Sequence, residues 1–295
     1  MYDALVALSS ASCGSINHAQ LQEMREAAAF AEAAMSAEPH APAETSAASA
    51  ANKPAEIFIE PPGSTAKTYP VGVMLYGAGL VDPRSYSVLA AKIAQCGFPV
   101  AILCFAGDLP RDPKGGRAAG VASRLSQVER WVLAGHSMGG HAAASAAAAL
   151  ELDLPSNVPA FPYKKLAGIA VLGGRVSGAD METGLDLSAA ELPAVAIAGG
   201  RDSIVRPEEV EAGLRHMPDG TGYIVIASGT HQGFAHYDRG GRQEGIRQAF
   251  GDAAAQRWGR SDGVVTGPER ESQVALAAGA IASVCAIASA SPPPQ

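Results

Sequence analysis

VERWVLAGHSMGGHAAASAAAAL, residues 128–150, contains the change of pattern on which the fold prediction rests. Its first part is short and apolar, which is typical of a buried strand, and its last part is an Ala-rich run typical of a helix. Between them lies Gly135-His-Ser137-Met-Gly139. The small residues on either side of the serine allow strand and helix to approach closely through a sharp turn. The stretch therefore predicts a strand–turn–helix unit with the Ser137 hydroxyl projecting from the end of the strand.

Six further apolar runs flank this unit. They are EIFIE (56–60), VGVMLY (71–76), PVAILCF (99–105), LAGIAVL (166–172), PAVAIA (193–198) and YIVIA (223–227). Several are apolar without alternation, which is typical of parallel strands covered by helices on both faces. Helical patterns alternate with the runs at 85–95, 118–128, 139–150 and 206–217, and from about 268. This alternation predicts an α/β fold with a doubly wound, mostly parallel sheet.

The two ends of the chain differ from this pattern. Residues 1–54 combine an Ala- and Glu-rich helical stretch with a small, polar, Pro-containing linker, so we expect a mobile extension before an α/β domain over residues 55–295. The N-terminal residues show neither the basic n-region of a signal peptide nor the Arg-rich pattern of a transit peptide, which favours a cytoplasmic protein. Residues 273–290 carry no charge but are rich in Ala, Ser and Gly. We expect a packed terminal helix there, capped by Thr266 and Glu269, and no stable membrane insertion.

Charge and cysteine usage exclude several classes of function. The formal net charge of −7 provides no basic surface for nucleic acid. The four cysteines, Cys13, Cys96, Cys104 and Cys285, are scattered and form no metal-binding spacing. The Gly-rich loop YGAGLVD (76–82) has Asp82 where a dinucleotide-binding fingerprint needs its third glycine. We therefore predict neither a metal nor a cofactor.

A serine hydroxyl is a poor nucleophile and needs a base, usually a histidine held by a carboxylate. His231 directly follows the last apolar run and its SGT exit, at the carboxyl end of a predicted strand. His136 and His141 adjoin the turn itself and are poorly placed to accept the Ser137 proton. His236 is predicted to lie on the surface or behind the site. His231 is therefore the predicted base.

The carboxylate should come between the serine and the histidine in the chain. Asp202 follows the run PAVAIAGG directly and precedes a helical pattern. Asp180, after the preceding strand run, is the alternative, although its SGADMETG context resembles an ordinary polar turn. We predict Asp202 as the residue that orients His231.

Negative charge that develops on a reacting carbonyl oxygen needs backbone N–H donors. One predicted donor is Met138, because it opens the helix directly after Ser137. The second is predicted to be Gly79 or Leu80, in the small-residue loop that follows the run 71–76.

These motifs, in this order, resemble those of the α/β-hydrolase superfamily over about residues 70–290. YGAGLVDPRSY resembles its oxyanion loop, VERWVLAGHSMGG its nucleophile elbow, GGRDSIVRPEEV its acid loop and GTHQGFAHY its histidine loop. The resemblance is to the small, lidless branch near the dienelactone-hydrolase-like proteins. Dienelactone hydrolases proper use a cysteine nucleophile, whereas this chain has Ser137. The usual HG oxyanion motif is also absent.

The resemblance implies ester or related acyl hydrolysis without a cofactor or metal. Only about 20 residues separate LAGIAVL from PAVAIA, so we expect no large cap domain. The expected function is a serine hydrolase that cleaves a small carboxylic ester. Acyl transfer or thioester hydrolysis by the same residues, and a non-catalytic binding or scaffold protein on this fold, are the alternatives.

Overall fold

The computed structural model describes residues 56–112, 114–151, 166–176, 186–236 and 267–291, together with the single residues 247, 252, 256 and 262. The expected extension over residues 1–54 lies outside the described residues, as do Asp180 and Thr266.

The described strands form one seven-stranded sheet in the order β1-β3-β2-β4-β5-β6-β7. The strands are β1 (Glu56–Ile59), β2 (Tyr69–Tyr76), β3 (Val100–Leu103), β4 (Val128–His136), β5 (Leu166–Leu172), β6 (Ala194–Gly199) and β7 (Gly222–Ile226). Strand β1 pairs antiparallel with β3, and all other neighbouring strands are parallel. The predicted mostly parallel sheet is therefore confirmed, and each predicted apolar run overlaps one strand.

Five α-helices connect or cover the described strands. They are α1 (Ser87–Gln95), α2 (Gly116–Arg124), α3 (Met138–Glu151), α4 (Pro207–Gly213) and α5 (Gly267–Ala290). Helix α4 is shorter than the predicted 206–217, because its last turn tightens into a 3₁₀ helix over Leu214–His216. The change comes at Gly213, where a Cβ would lie 2.8 Å from the Val176 carbonyl oxygen. Glycine is also a poor helix former.

Alternate strand residues supply two separate cores. Val73 and Leu75 of β2 pack into the core that contains α1 and α5. Met74 and Tyr76 of the same strand pack with α2 and α3 on the opposite face. Because both faces are covered, the strands read as continuous apolar runs in the sequence.

Helix α5 is long and apolar enough to cross a membrane by length and composition, but 61% of its most apolar window is buried inside the protein. It packs against α1 and the sheet, and residues such as Ile281 and Cys285 are fully buried. Arg130 of β4 donates to the Ala288 carbonyl oxygen at 2.7 Å and so binds the end of the helix to the sheet. The expected packed terminal helix is observed.

The order of the strands also places the functional region. From β2 the chain passes to β3 on one side, and then crosses to β4 on the other side of β2. The loops after β2 and β4 therefore diverge at the carboxyl edge of the sheet, where open α/β sheets bind their ligands. The Ser137 turn follows β4 at this edge.

Candidate active site

Ser137 lies between the last residue of β4 and the first residue of α3, with a left-handed φ of 56°. A non-glycine residue in this conformation is strained and must be held by its surroundings. A Cβ on Gly135 would lie 2.1 Å from the Gly139 carbonyl oxygen, and one on Gly139 would lie 2.2 Å from that of Gly77. The glycines are therefore required by close backbone contacts, as the sequence predicts.

Ser137, His231 and Asp202 are brought together in one chain of hydrogen bonds. Ser137 Oγ lies 2.8 Å from His231 Nε2, and His231 Nδ1 lies 2.8 Å from Asp202 Oδ2. Because a carboxylate can only accept, Nδ1 carries the proton and Nε2 is left to accept the Ser137 hydroxyl proton. The histidine and aspartate are 4% and 3% exposed, so little water competes for these bonds.

The second oxygen of Asp202 is held by its own loop. Oδ1 accepts the N–H groups of Ile204 at 2.9 Å and Val205 at 2.7 Å. These bonds satisfy the buried carboxylate and aim Oδ2 at His231. Gly173, which follows β5 with φ 48°, borders the pair, since a Cβ there would lie 3.1 Å from Asp202 Oδ2. Gly173 was not predicted as a site residue, although the Gly173-Gly174 pair at the end of a strand run is visible in the sequence.

His136 is fully buried and takes no part in the Ser137 hydrogen-bond chain. Its Nδ1 lies 2.7 Å from the Tyr86 hydroxyl, which also accepts the Ala78 N–H at 2.8 Å. The tyrosine therefore joins the loop after β2 to the residue before Ser137. The ring of His136 lies 4.7 Å from that of His231, centroid to centroid.

The predicted oxyanion donors Met138 and Gly79 lie against each other at the start of α3, and Leu80 is the next residue after Gly79. Met138 begins α3, and the first N–H groups of a helix have no carbonyl partner within it. The Met138 side chain covers Gly79, since a Cβ on that glycine would lie 3.0 Å from Met138 Sδ. Leu80, with φ 60°, donates its N–H to the Asp108 carbonyl oxygen at 2.7 Å. Leu80 must give up that bond to serve an oxyanion.

The other histidines considered as the base lie outside the side-chain hydrogen bonds that join Ser137, His231 and Asp202. His236 has its backbone N–H bound to the Ser85 carbonyl oxygen at 2.9 Å. Burial lowers the pKa of its imidazole to about 4, assisted by the charges of Arg270 and Lys92. His141 lies on α3, where its backbone N–H donates to the Ser137 carbonyl oxygen at 3.4 Å. Among the residues that the structure describes, no group of three or more His, Cys, Asp or Glu could hold a metal ion.

A serine on a strained turn, with a buried histidine and aspartate at hydrogen-bond distance on a mostly parallel sheet, defines a hydrolase-like site. Comparison with family models agrees, because the alpha/beta hydrolase family model matches residues 72–258, more than half of the chain. The chain therefore belongs to the alpha/beta hydrolase family. A search of curated proteins found no match.

Proposed function

We propose that this protein is a serine hydrolase that cleaves carboxylic esters through an acyl-enzyme intermediate. The observation that carries the proposal is the hydrogen-bond chain from Ser137 through His231 to Asp202, with 2.8 Å at each step. Ser137, His231 and Asp202 follow the ends of three different strands, β4, β7 and β6, and meet at the carboxyl edge of the sheet. A binding protein would have no need of this alignment.

In the proposed reaction, His231 Nε2 takes the Ser137 proton as Oγ attacks the ester carbonyl carbon. The tetrahedral intermediate collapses when the protonated His231 gives that proton to the leaving alkoxide, which departs as the alcohol. Water then attacks the acyl-enzyme and loses a proton to His231. His231 returns this proton to Ser137 Oγ as the bond from Oγ to the acyl carbon breaks and the acid departs. Asp202 keeps the proton on Nδ1 throughout and stabilises the charged ring.

Backbone groups would stabilise the charge on the carbonyl oxygen. Met138 N–H sits at the positive end of the 14-residue helix α3, which favours negative charge there. The second donor is proposed to come from Gly79 or Leu80, in the loop after β2. The Leu80 donor requires its bond to Asp108 to open when substrate binds.

A small substrate is favoured by the space beside this loop. A small, mostly apolar hollow lies against it, lined by residues that include Ala78, Val81, Leu103 and Phe105. The exposed Met138 side chain lies against Gly79, which belongs to the same loop. Both features favour a short, neutral acyl or alcohol group over a charged or long-chain one.

A panel of chromogenic esters of increasing acyl length tests the proposal. Wild type should hydrolyse the short esters, whereas Ser137→Ala and His231→Gln should lose about 10⁶-fold in kcat and Asp202→Asn about 10⁴-fold. Ser123→Ala is a matched control, because its hydroxyl bonds only to the Ala119 carbonyl of its own helix. A Ser137→Ala variant that keeps wild-type turnover would overturn the proposal.

The same panel tests the acid. If Asp180→Asn cripples turnover and Asp202→Asn is mild, the assignment of the acid is wrong, while the roles of Ser137 and His231 survive. Adding a primary alcohol separates hydrolysis from acyl transfer: a new ester product that outcompetes water at low alcohol concentration would mark a transferase.

A further inference from the structure

The peptide unit that carries His231 is held at both of its polar atoms by side chains from the C-terminal part of the chain. Its carbonyl oxygen, that of Thr230, accepts Gln273 Nε2 at 2.7 Å. Its N–H, that of His231, donates to Asp262 Oδ2 at 2.5 Å. Neither side chain bonds to the Ser137 side chain or to the Asp202 carboxylate, so any effect on the site must pass through the backbone that they hold.

Gln273 fits the histidine loop closely. Besides donating to Thr230 C=O, its Oε1 accepts the Thr230 N–H at 3.0 Å, so one amide satisfies both backbone groups of the residue before the histidine. The side chain is 2% exposed. A Cβ on Gly233 would lie 1.9 Å from Gln273 Oε1, so the glycine in the 3₁₀ turn after His231 leaves the space that the amide fills.

Asp262 joins the histidine loop to the acid loop. Its Oδ1 accepts both the backbone N–H of Ser203 at 2.9 Å and the Ser203 hydroxyl at 2.6 Å, while Oδ2 accepts the His231 N–H. Ser203 is the neighbour of Asp202 in the chain. One carboxylate therefore fixes the spacing between the segment that carries the acid and the segment that carries the base.

We propose that Asp262 and Gln273 are positioning residues that hold the His231 ring between Ser137 and Asp202. This inference rests on the proposed hydrolase function for its kinetic readout. The serine and aspartate reach His231 from strands β4 and β6, whereas the histidine follows β7, a strand at the edge of the sheet. The C-terminal contacts compensate for that peripheral position. A displacement of the ring by about 1 Å would cost about 100-fold in turnover.

The decisive variant substitutes neither of the two proposed residues. Gly233→Ala should push the Gln273 amide away from Thr230, because the new methyl group occupies its place. We expect a loss of about 10- to 100-fold in kcat with KM nearly unchanged. In the background of Gln273→Ala the same substitution should have little further effect, because the amide it displaces is gone. Additive losses would overturn the role of Gln273.

The role of Asp262 is tested with Asp262→Ala and the milder Ser203→Ala, which removes only one of the bonds. Asp252→Ala is the matched control, because that carboxylate is 83% exposed and pairs with Arg247 in the same part of the chain. Kcat should fall in the order control, Ser203→Ala, Asp262→Ala. If Asp262→Ala does not fold, Ser203→Ala alone decides, and an unchanged kcat would overturn the proposal.

A proton NMR measurement does not depend on ester hydrolysis, so it tests the positioning role separately from the proposed function. The His231 Nδ1 proton, hydrogen-bonded to Asp202, should give a far-downfield resonance that His231→Gln removes. Gly233→Ala and Asp262→Ala should shift or broaden that resonance in folded protein, and Asp252→Ala should not. If wild type hydrolyses no ester but the resonance responds in this way, the proposed function fails and the positioning role stands. A resonance unchanged in both variants would refute the positioning role whatever the activity.

Discussion

At the scale of single residues, the serine turn depends on positions where no side chain can be added. The three nearest atoms to a Cβ on Gly139 are backbone atoms of Tyr76 and Gly77, at 2.2–2.7 Å. Backbone at the end of a buried strand cannot move aside as a flexible side chain would. The conformation of Ser137 is therefore maintained by its neighbours, and its strain is compensated by their packing.

Gly139→Ala should accordingly destabilise the protein by about 4 kcal/mol or prevent folding, as overpacking against backbone does in its severe cases. Urea denaturation followed by circular dichroism measures the change. Gly267→Ala is the control, because a Cβ there meets nothing within 4 Å, and it should stay within about 0.5 kcal/mol of wild type. Equal stability of the two variants would show that the turn can relax.

His236 gives stability a specific pH dependence. Its pKa is about 4 in the folded protein, below the 6.5 of an unperturbed histidine, chiefly because burial disfavours the charged ring. Between these values the unfolded chain binds the extra proton, so this contribution to stability is complete above about pH 6.5 and is lost as the pH falls towards 4. Allowing for partial exposure, we expect a loss of about 2 kcal/mol. His236→Gln should flatten the pH dependence of unfolding in this window, and an unchanged slope would contradict the assignment.

At the scale of the elements, one buried carboxylate connects the start of α2 to the end of β2. Asp112 accepts the Tyr76 hydroxyl at 2.9 Å and the N–H groups of Arg117 and Ala118 at 2.9 and 3.0 Å. Burial raises the pKa of Asp112, although the two N–H bonds oppose the rise. Tyr76 is the last residue of β2, so this carboxylate also fixes the point where the predicted oxyanion loop begins.

Asp112→Ala should leave the buried Tyr76 hydroxyl and the first N–H groups of α2 without their acceptor. Each such loss costs about 1–3 kcal/mol, so we expect about 2–4 kcal/mol in the free energy of unfolding. Asp186→Ala is the matched control, because that carboxylate accepts the Ser188 N–H at an exposed site. If both variants unfold at the wild-type urea concentration, Asp112 does not connect these elements as we describe.

The elements also show what sequence could and could not reveal. All seven strands were predictable, because even the partly exposed edge strands β1 and β7 consist mainly of apolar residues. The antiparallel direction of β1 was not, since its partner β3 lies more than 40 residues away and nothing local encodes that pairing. Ser137, His231 and Asp202 were predictable because each follows a strand. Asp262 and Gln273 fit no motif that the sequence shows, and only folding brings them to the histidine loop.

At the scale of the whole molecule, the described sheet begins with β1 at Glu56, and the apolar clusters on its two faces are described from residues that follow this position. A chain that begins at Ala55 should therefore fold and keep its ester hydrolysis within about twofold of the full chain. Thermal unfolding and turnover of the two chains provide the measurement. An insoluble or inactive shortened chain would mean that part of residues 1–54 packs on the α/β domain.

The central claim is that Ser137 becomes a nucleophile because His231 and Asp202 are aligned behind it. Covalent labelling with a fluorophosphonate, followed by peptide mass spectrometry, tests this claim most directly. We expect one adduct per chain, located on Ser137. It should be absent in Ser137→Ala and should form far more slowly in folded His231→Gln. An adduct on another residue, or labelling of Ser137→Ala at the wild-type rate, would contradict it.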